Sequence, residues 1–85
     1  FGLELRKIRG GEFVVRYVFP DLPASHMDFQ VGDLVTMIDN RPAPEISLSQ
    51  YNDIASTIGE HQVCIQREDK CFTVNAKHIK GYSDL

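Results

Sequence analysis

The sequence predicts a small α+β domain: a partly closed antiparallel sheet of five to six strands, barrel- or sandwich-like, with two helices over its openings. Three observations predict it. Short runs rich in β-branched and aromatic residues recur along the chain, each bounded by Gly, Pro, Asn or Asp. One segment, 48–58, has apolar residues at helical spacing instead. Most links between the strand runs are short, which favours antiparallel neighbours.

Taken in order, Leu3 and Leu5, with Lys7 on the same parity, alternate with Glu4 and Arg6, the period of a strand. Gly10-Gly11 is a turn signal, and Glu12–Phe19 reads as a second strand, so the two form a hairpin. Pro20 ends that strand by removing a backbone donor. Residues 21–29 read as a loop with a short helix around Ala24–Met27. Gly32-Asp33 introduces a strand over 34–39, with Leu34, Thr36 and Ile38 on one face and Val35 and Met37 on the other. Asn40-Arg41-Pro42 reads as a tight turn, and Pro42 and Pro44 keep the following residues extended.

Ser47 or Ser49 can cap a helix whose apolar residues are Leu48, Tyr51, Ile54, Ala55 and Ile58. Gly59 is placed to terminate it. Gln62–Arg67 and Cys71–Ala76 then form a closing hairpin around Glu68-Asp69-Lys70, with Val63, Ile65, Phe72 and Val74 facing the core. In that register Cys71 lies opposite Arg67 and Cys64 is too far back to bridge it. Cys64 and Cys71 are therefore expected to be free thiols. Residues 1–76 make one domain, and 77–85 a polar, frayed tail.

Composition narrows the function. An 85-residue chain can form one modest core but not two lobes around a cleft. A net charge of −3 argues against binding a phosphate backbone, so no nucleic-acid partner is expected. No apolar run approaches the roughly 18–20 residues of a membrane span. The chain opens Phe1-Gly2-Leu3 with no initiator Met and no signal peptide, which reads as a piece of a longer protein.

No catalytic set is expected. Ser25, His26 and Asp28 are sequence neighbours, whereas the members of a triad converge from separate elements. Asp33 and Asp39 are explained by turns and side chain-to-backbone bonds. Asp39-Asn40-Arg41 lacks the Asp-Thr/Ser-Gly pattern of an aspartyl protease. His26, His61 and His78 lack closely spaced ligand partners, so neither a metal nor a cofactor is expected.

The ordered motifs resemble a PDZ domain over about residues 1–76. Phe1-Gly2-Leu3-Glu4-Leu5 is similar to the family's carboxylate-binding loop running into a strand. Pro20-Asp21-Leu22-Pro23-Ala24 resembles its Pro-x-x-Pro-Ala loop. Gln30-Val31-Gly32-Asp33-Leu34-Val35 and Met37-Ile38-Asp39-Asn40-Arg41-Pro42 resemble two further family motifs. Two positions depart from the pattern. Asp28 and Asn40 stand where the family has Gly, so both are expected to take a left-handed backbone.

The resemblance implies a peptide-binding module working by strand addition. Its groove would lie between the strand Leu3–Ile8 and the helix Leu48–Ile58. Backbone N–H groups at Phe1, Gly2 and Leu3 would hold a terminal carboxylate, Gly2 letting the backbone approach the anion closely. Phe1, Leu3, Leu5, Ala55 and Ile58 would line the pocket for the last side chain. Leu48 and Asn52 would line the groove further along, with Glu4 on the binding strand. An apolar Leu48 implies an apolar residue two before the ligand's end.

The motif style is closer to bacterial members, which sit at the C-terminal end of secreted or periplasmic retropepsin-like aspartyl or trypsin-like proteases. That implies a non-catalytic regulatory or substrate-gating module, in a periplasmic or extracytoplasmic setting. Its partner would be a peptide, a protein C-terminus, or the protease domain of its own parent chain. The same apolar residues also fit a closed core, and the same strand edge an architectural oligomerisation domain.

Overall fold

A computed structural model of the chain describes residues 1–76; the expected tail at 77–85, with His78 in it, lies outside the described residues. The order is β1 (Leu3–Lys7), β2 (Phe13–Val18), a 3-10 turn (Pro23–His26), β3 (Leu34–Ile38), β4 (Arg41–Pro42), a 3-10 turn (Ala43–Glu45), α1 (Leu48–Ser56), β5 (Gly59–Ile65) and β6 (Cys71–Ala76). All strand pairs are antiparallel, as the short links demand. The sheet runs β1-β2-β3-β5-β6, with β4 hanging on β3.

The α+β class holds, but the closure expected from the sequence does not. β1 and β6 end the sheet at opposite sides, leaving it open, and the described residues contain one α-helix rather than two. The segment around Ala24 is a single 3-10 turn, four residues long and starting on Pro23.

The core gathers Leu3 and Leu5 from β1, Phe13 and Val15 from β2, Val35 and Ile38 from β3, Tyr51 from α1, and Val63, Ile65 and Val74 from the last hairpin. Val35 and Ile38 have opposite parity, so strict alternation assigned them to opposite faces. Both are fully buried because the pairing with β5 slips between Val35 and Met37, a bulge that re-aims the strand. The turn after β3 also differs by one residue. Asp39 and Asn40 both take positive φ (53° and 65°) between the paired residues Ile38 and Arg41. This is the two-residue hairpin that suits the sheet's twist, so Arg41-Pro42 belongs to a strand and not to the turn.

Helix α1 starts as expected. Ser47 accepts from the Gln50 backbone N–H, and the Gln50 side chain accepts from the Ser47 N–H, a reciprocal capping box. It stops at Ser56, short of Gly59. Ser56 and Thr57 turn their hydroxyls back onto the Asn52 and Asp53 carbonyls, and Thr57 is already extended. Gly59, at φ +133°, opens β5 instead of ending the helix.

The expectation of free thiols is overturned. Cys64 and Cys71 are directly opposed in the β5–β6 ladder and joined by a disulfide. The connecting loop, 66–70, has five residues where the sequence predicts a three-residue turn at 68–70, and Glu68 and Asp69 both reverse the chain at positive φ. That shift brings Cys64 level with Cys71. Asp28 does not take the left-handed backbone expected of it; between β2 and β3 the positive-φ residues are Asp21 and Gly32 (φ 67° and 99°).

Candidate functional site

The register of β1 decides what its outer edge offers. Leu3, Leu5 and Lys7 face Val18, Val15 and Phe13. The bonds from Ile8 N–H to Glu12 O and from Phe19 N–H to Gly2 O fall on the flanking residues. Leu3, Leu5 and Lys7 are therefore the non-hydrogen-bonded positions of this ladder, and their own N–H and C=O groups point away from β2. This is the open side of an edge strand, and α1 lies along it. Tyr51, at the centre of α1, donates its hydroxyl to the Leu3 carbonyl (2.7 Å), and the Phe1 backbone nitrogen donates to the Ala55 carbonyl (3.0 Å). At the far end, the Lys7 ammonium donates to the Ala43 and Ile46 carbonyls and sits over the Phe13 ring.

Between the start of β1 and α1 opens a cavity of about 520 Å³. Six of the expected site residues line it: Phe1, Gly2, Leu3, Asn52, Ala55 and Ile58. Three do not. Leu5 is buried in the core, Glu4 is exposed on the strand, and Leu48 is 42% exposed at the opposite end of the helix. Leu48 misses the cavity because nearly two helical turns separate it from Ala55. The cavity also takes Phe19, Leu22, Pro23, Tyr51, Ser56 and Ala76, which strand and helix patterns alone did not assign to it. Phe19 directly follows β2, and its ring packs edge-on to Tyr17 (4.8 Å between centroids). The apolar lining suits an apolar side chain, and Asn52 and Ser56 add polar groups at its rim.

Gly2 has a structural reason for being glycine. Its φ is +105°, and a Cβ there would stand 2.7 Å from the Leu22 Cβ. The bare backbone lets the Phe1 carbonyl accept from Ala24 N–H and the Gly2 carbonyl accept from Phe19 N–H. Gly2 thereby clamps the cavity's mouth to the 3-10 turn and to β2.

His61 lies behind the site. Its ring is 5.6 Å from the Phe1 ring. Nδ1 is 2.8 Å from Asp39 Oδ2 and Nε2 is 2.7 Å from the Thr57 carbonyl oxygen. The carbonyl can only accept, so Nε2 donates to it. The pair joins the β3–β4 turn to the end of α1. In an Asp-His nucleophile relay Nε2 would face the nucleophile; here it is spent on a backbone carbonyl. The sequence placed these residues 22 apart with no local pattern to link them.

A second charged group sits at the other end of the sheet. Arg67 grips both oxygens of the buried Asp33 carboxylate (2.8 and 3.1 Å) and the Asp28 backbone carbonyl (2.6 Å). Lys70 donates to Asp28 (3.0 Å). The Lys70 and Arg67 hydrogen bonds hold the Asp28 carboxyl below its ordinary range, and Arg67 does the same for Asp33. Burial raises the Tyr51 hydroxyl, which keeps it a proton donor toward Leu3 at any ordinary pH. Among the described residues no group of three or more His, Cys, Asp or Glu is placed to hold a metal, and no helix is long and apolar enough to cross a membrane. No protein-family model matches the chain, and no curated protein sequence matches it.

Proposed function

We propose that this chain is a peptide-capture module of the PDZ type, binding an extended segment by strand addition along the β1 edge. The observation that carries the reading is the apolar cavity of about 520 Å³ set where the open edge of β1 meets α1. An edge strand supplies main-chain hydrogen bonds without regard to sequence, and a neighbouring apolar cavity supplies selectivity for one side chain. The ligand is a C-terminal or internal peptide with an apolar anchor, and affinity is modest, ~1–100 μM. The chain performs no chemistry itself. It acts as a regulatory or substrate-gating part of a bacterial protease, whose own protease domain is one candidate partner.

The Cys64–Cys71 disulfide supports an oxidising, extracytoplasmic setting. The test is calorimetric titration with a hexapeptide carrying Val at its last and third-from-last positions, as free acid and as amide. Tighter binding of the acid supports capture of a chain end through the Phe1-Gly2-Leu3 backbone; equal binding of both supports capture of internal segments. No binding of either, together with self-association in sedimentation at rising concentration, favours an architectural edge-pairing domain instead.

A further inference from the structure

Strand addition needs free carbonyls on the receiving edge, and β1 has one fewer than its length implies. Its register turns three carbonyls outward, those of Leu3, Leu5 and Lys7. Each could accept one N–H from an added strand, whichever direction that strand runs. The Leu3 carbonyl already holds the Tyr51 hydroxyl at 2.7 Å. Tyr51 is almost fully buried, wedged by ring contacts with Phe1 (5.9 Å) and Phe13 (5.7 Å). Its hydroxyl does not swing aside without disturbing both. The carbonyl that Tyr51 engages, with one of its two lone pairs taken and the buried ring beside it, is also the one nearest the cavity, since Leu3 and Tyr51 both line it.

We infer that Tyr51 is a specificity-determining residue of the groove: it withholds the Leu3 carbonyl and confines strand pairing to Leu5 and Lys7. A captured chain is then hydrogen-bonded along the middle of β1, and its anchor residue enters the cavity without a main-chain acceptor at Leu3. Such a site discriminates by the anchor's apolar surface more than by its backbone. The inference rests on the peptide-capture reading proposed above, and its failure can be told apart from the failure of that reading.

The probe is the same Val-bearing hexapeptide, made as a series with one backbone nitrogen methylated at a time. Methylation removes the donor, so each sensitive position counts one carbonyl of the edge in use. With the wild-type protein, at most two positions, two residues apart, should weaken binding. Tyr51→Phe keeps the ring contacts and removes only the hydroxyl. It should add a third sensitive position at the anchor end and tighten the unmethylated peptide roughly three- to tenfold, the worth of one hydrogen bond. Three sensitive positions in the wild-type protein overturn the inference and leave peptide capture standing, and they do so even if Tyr51→Phe fails to fold. No gain in the folded variant overturns it as well. Absence of wild-type binding sinks both readings together.

Discussion

Replacing Gly2 by Ala separates two costs that the structure assigns to one position. The first is backbone strain. At φ +105° an L-residue is disfavoured, at roughly 1–3 kcal/mol. The second is a collision, because the new methyl would stand 2.7 Å from the Leu22 Cβ and 3.7 Å from the Ala24 Cβ. Crowding of that kind in a packed region costs a further 1–3 kcal/mol or so. The sum is about 2–6 kcal/mol, a large share of the roughly 5–15 kcal/mol that holds a domain together.

Gly32 is the matched control. Its φ is +99°, and a Cβ there meets nothing within 4 Å. Gly32→Ala therefore carries the backbone cost alone, about 1–3 kcal/mol. Urea unfolding of the two variants and the wild-type protein measures both, with thermal midpoints as a check at about 4–8 °C per kcal/mol. Gly2→Ala should be the less stable by about 1–3 kcal/mol. Equal stabilities would mean that the Gly2–Leu22 contact does not clamp the cavity mouth. The role given to Gly2 in shaping the site would then be wrong.

Two further outcomes are expected. Reducing the Cys64–Cys71 bond, or replacing both cysteines with Ser, should cost roughly 2–3 kcal/mol, as for release of a short closed loop; denaturation with and without a dithiol reductant measures it. Asp28 and Asp33 have folded-state pKa values held below the ordinary range, so their contribution is complete above the unfolded value of about 4 and is lost as the pH falls through the folded values. Stability measured from pH 7 down to 2 should fall on that limb, and Arg67→Ala should flatten it; an unchanged slope would remove the Arg67 ion cluster from the acid response.

Much of this fold could be read from local pattern. The alternation of Leu3 and Leu5, the β-rich run over Glu12–Phe19 that contains β2, and a capping serine at 47 or 49 are each legible within a few residues, where periodicity and capping chemistry speak directly. What the pattern could not carry was register. A single bulge between Val35 and Met37 moved two core residues onto one face, and a loop with Glu68 and Asp69 at positive φ brought two cysteines level. The first is a shift of one residue and the second of three, and in a sheet of period two an odd shift exchanges inside for outside.

The candidate site divides the same way. Phe1, Gly2, Leu3, Asn52, Ala55 and Ile58 converge on the cavity because strand and helix periodicity put them on facing sides. Leu48, expected further along the groove, stands at the start of α1, nearly two helical turns from Ala55. Tyr51 was legible as a core residue from its spacing. Its hydroxyl bond to a carbonyl 48 positions away was not, because no local signal marks the acceptor. His61 and Asp39 met for the same non-local reason, through the pairing of β3 with β5.

In the proposed function, the β1 edge and α1 together form a receptor for an extended peptide. Amide chemical-shift mapping of the isotopically labelled chain, titrated with the Val-bearing hexapeptide, tests it most directly. Peptide capture gives saturable shifts concentrated at Leu3–Lys7 and along Asn52–Ile58, with small changes in β6 apart from Ala76, which lines the cavity. Shifts centred on the Thr73 and Asn75 side of the sheet, or none up to millimolar peptide, would contradict it.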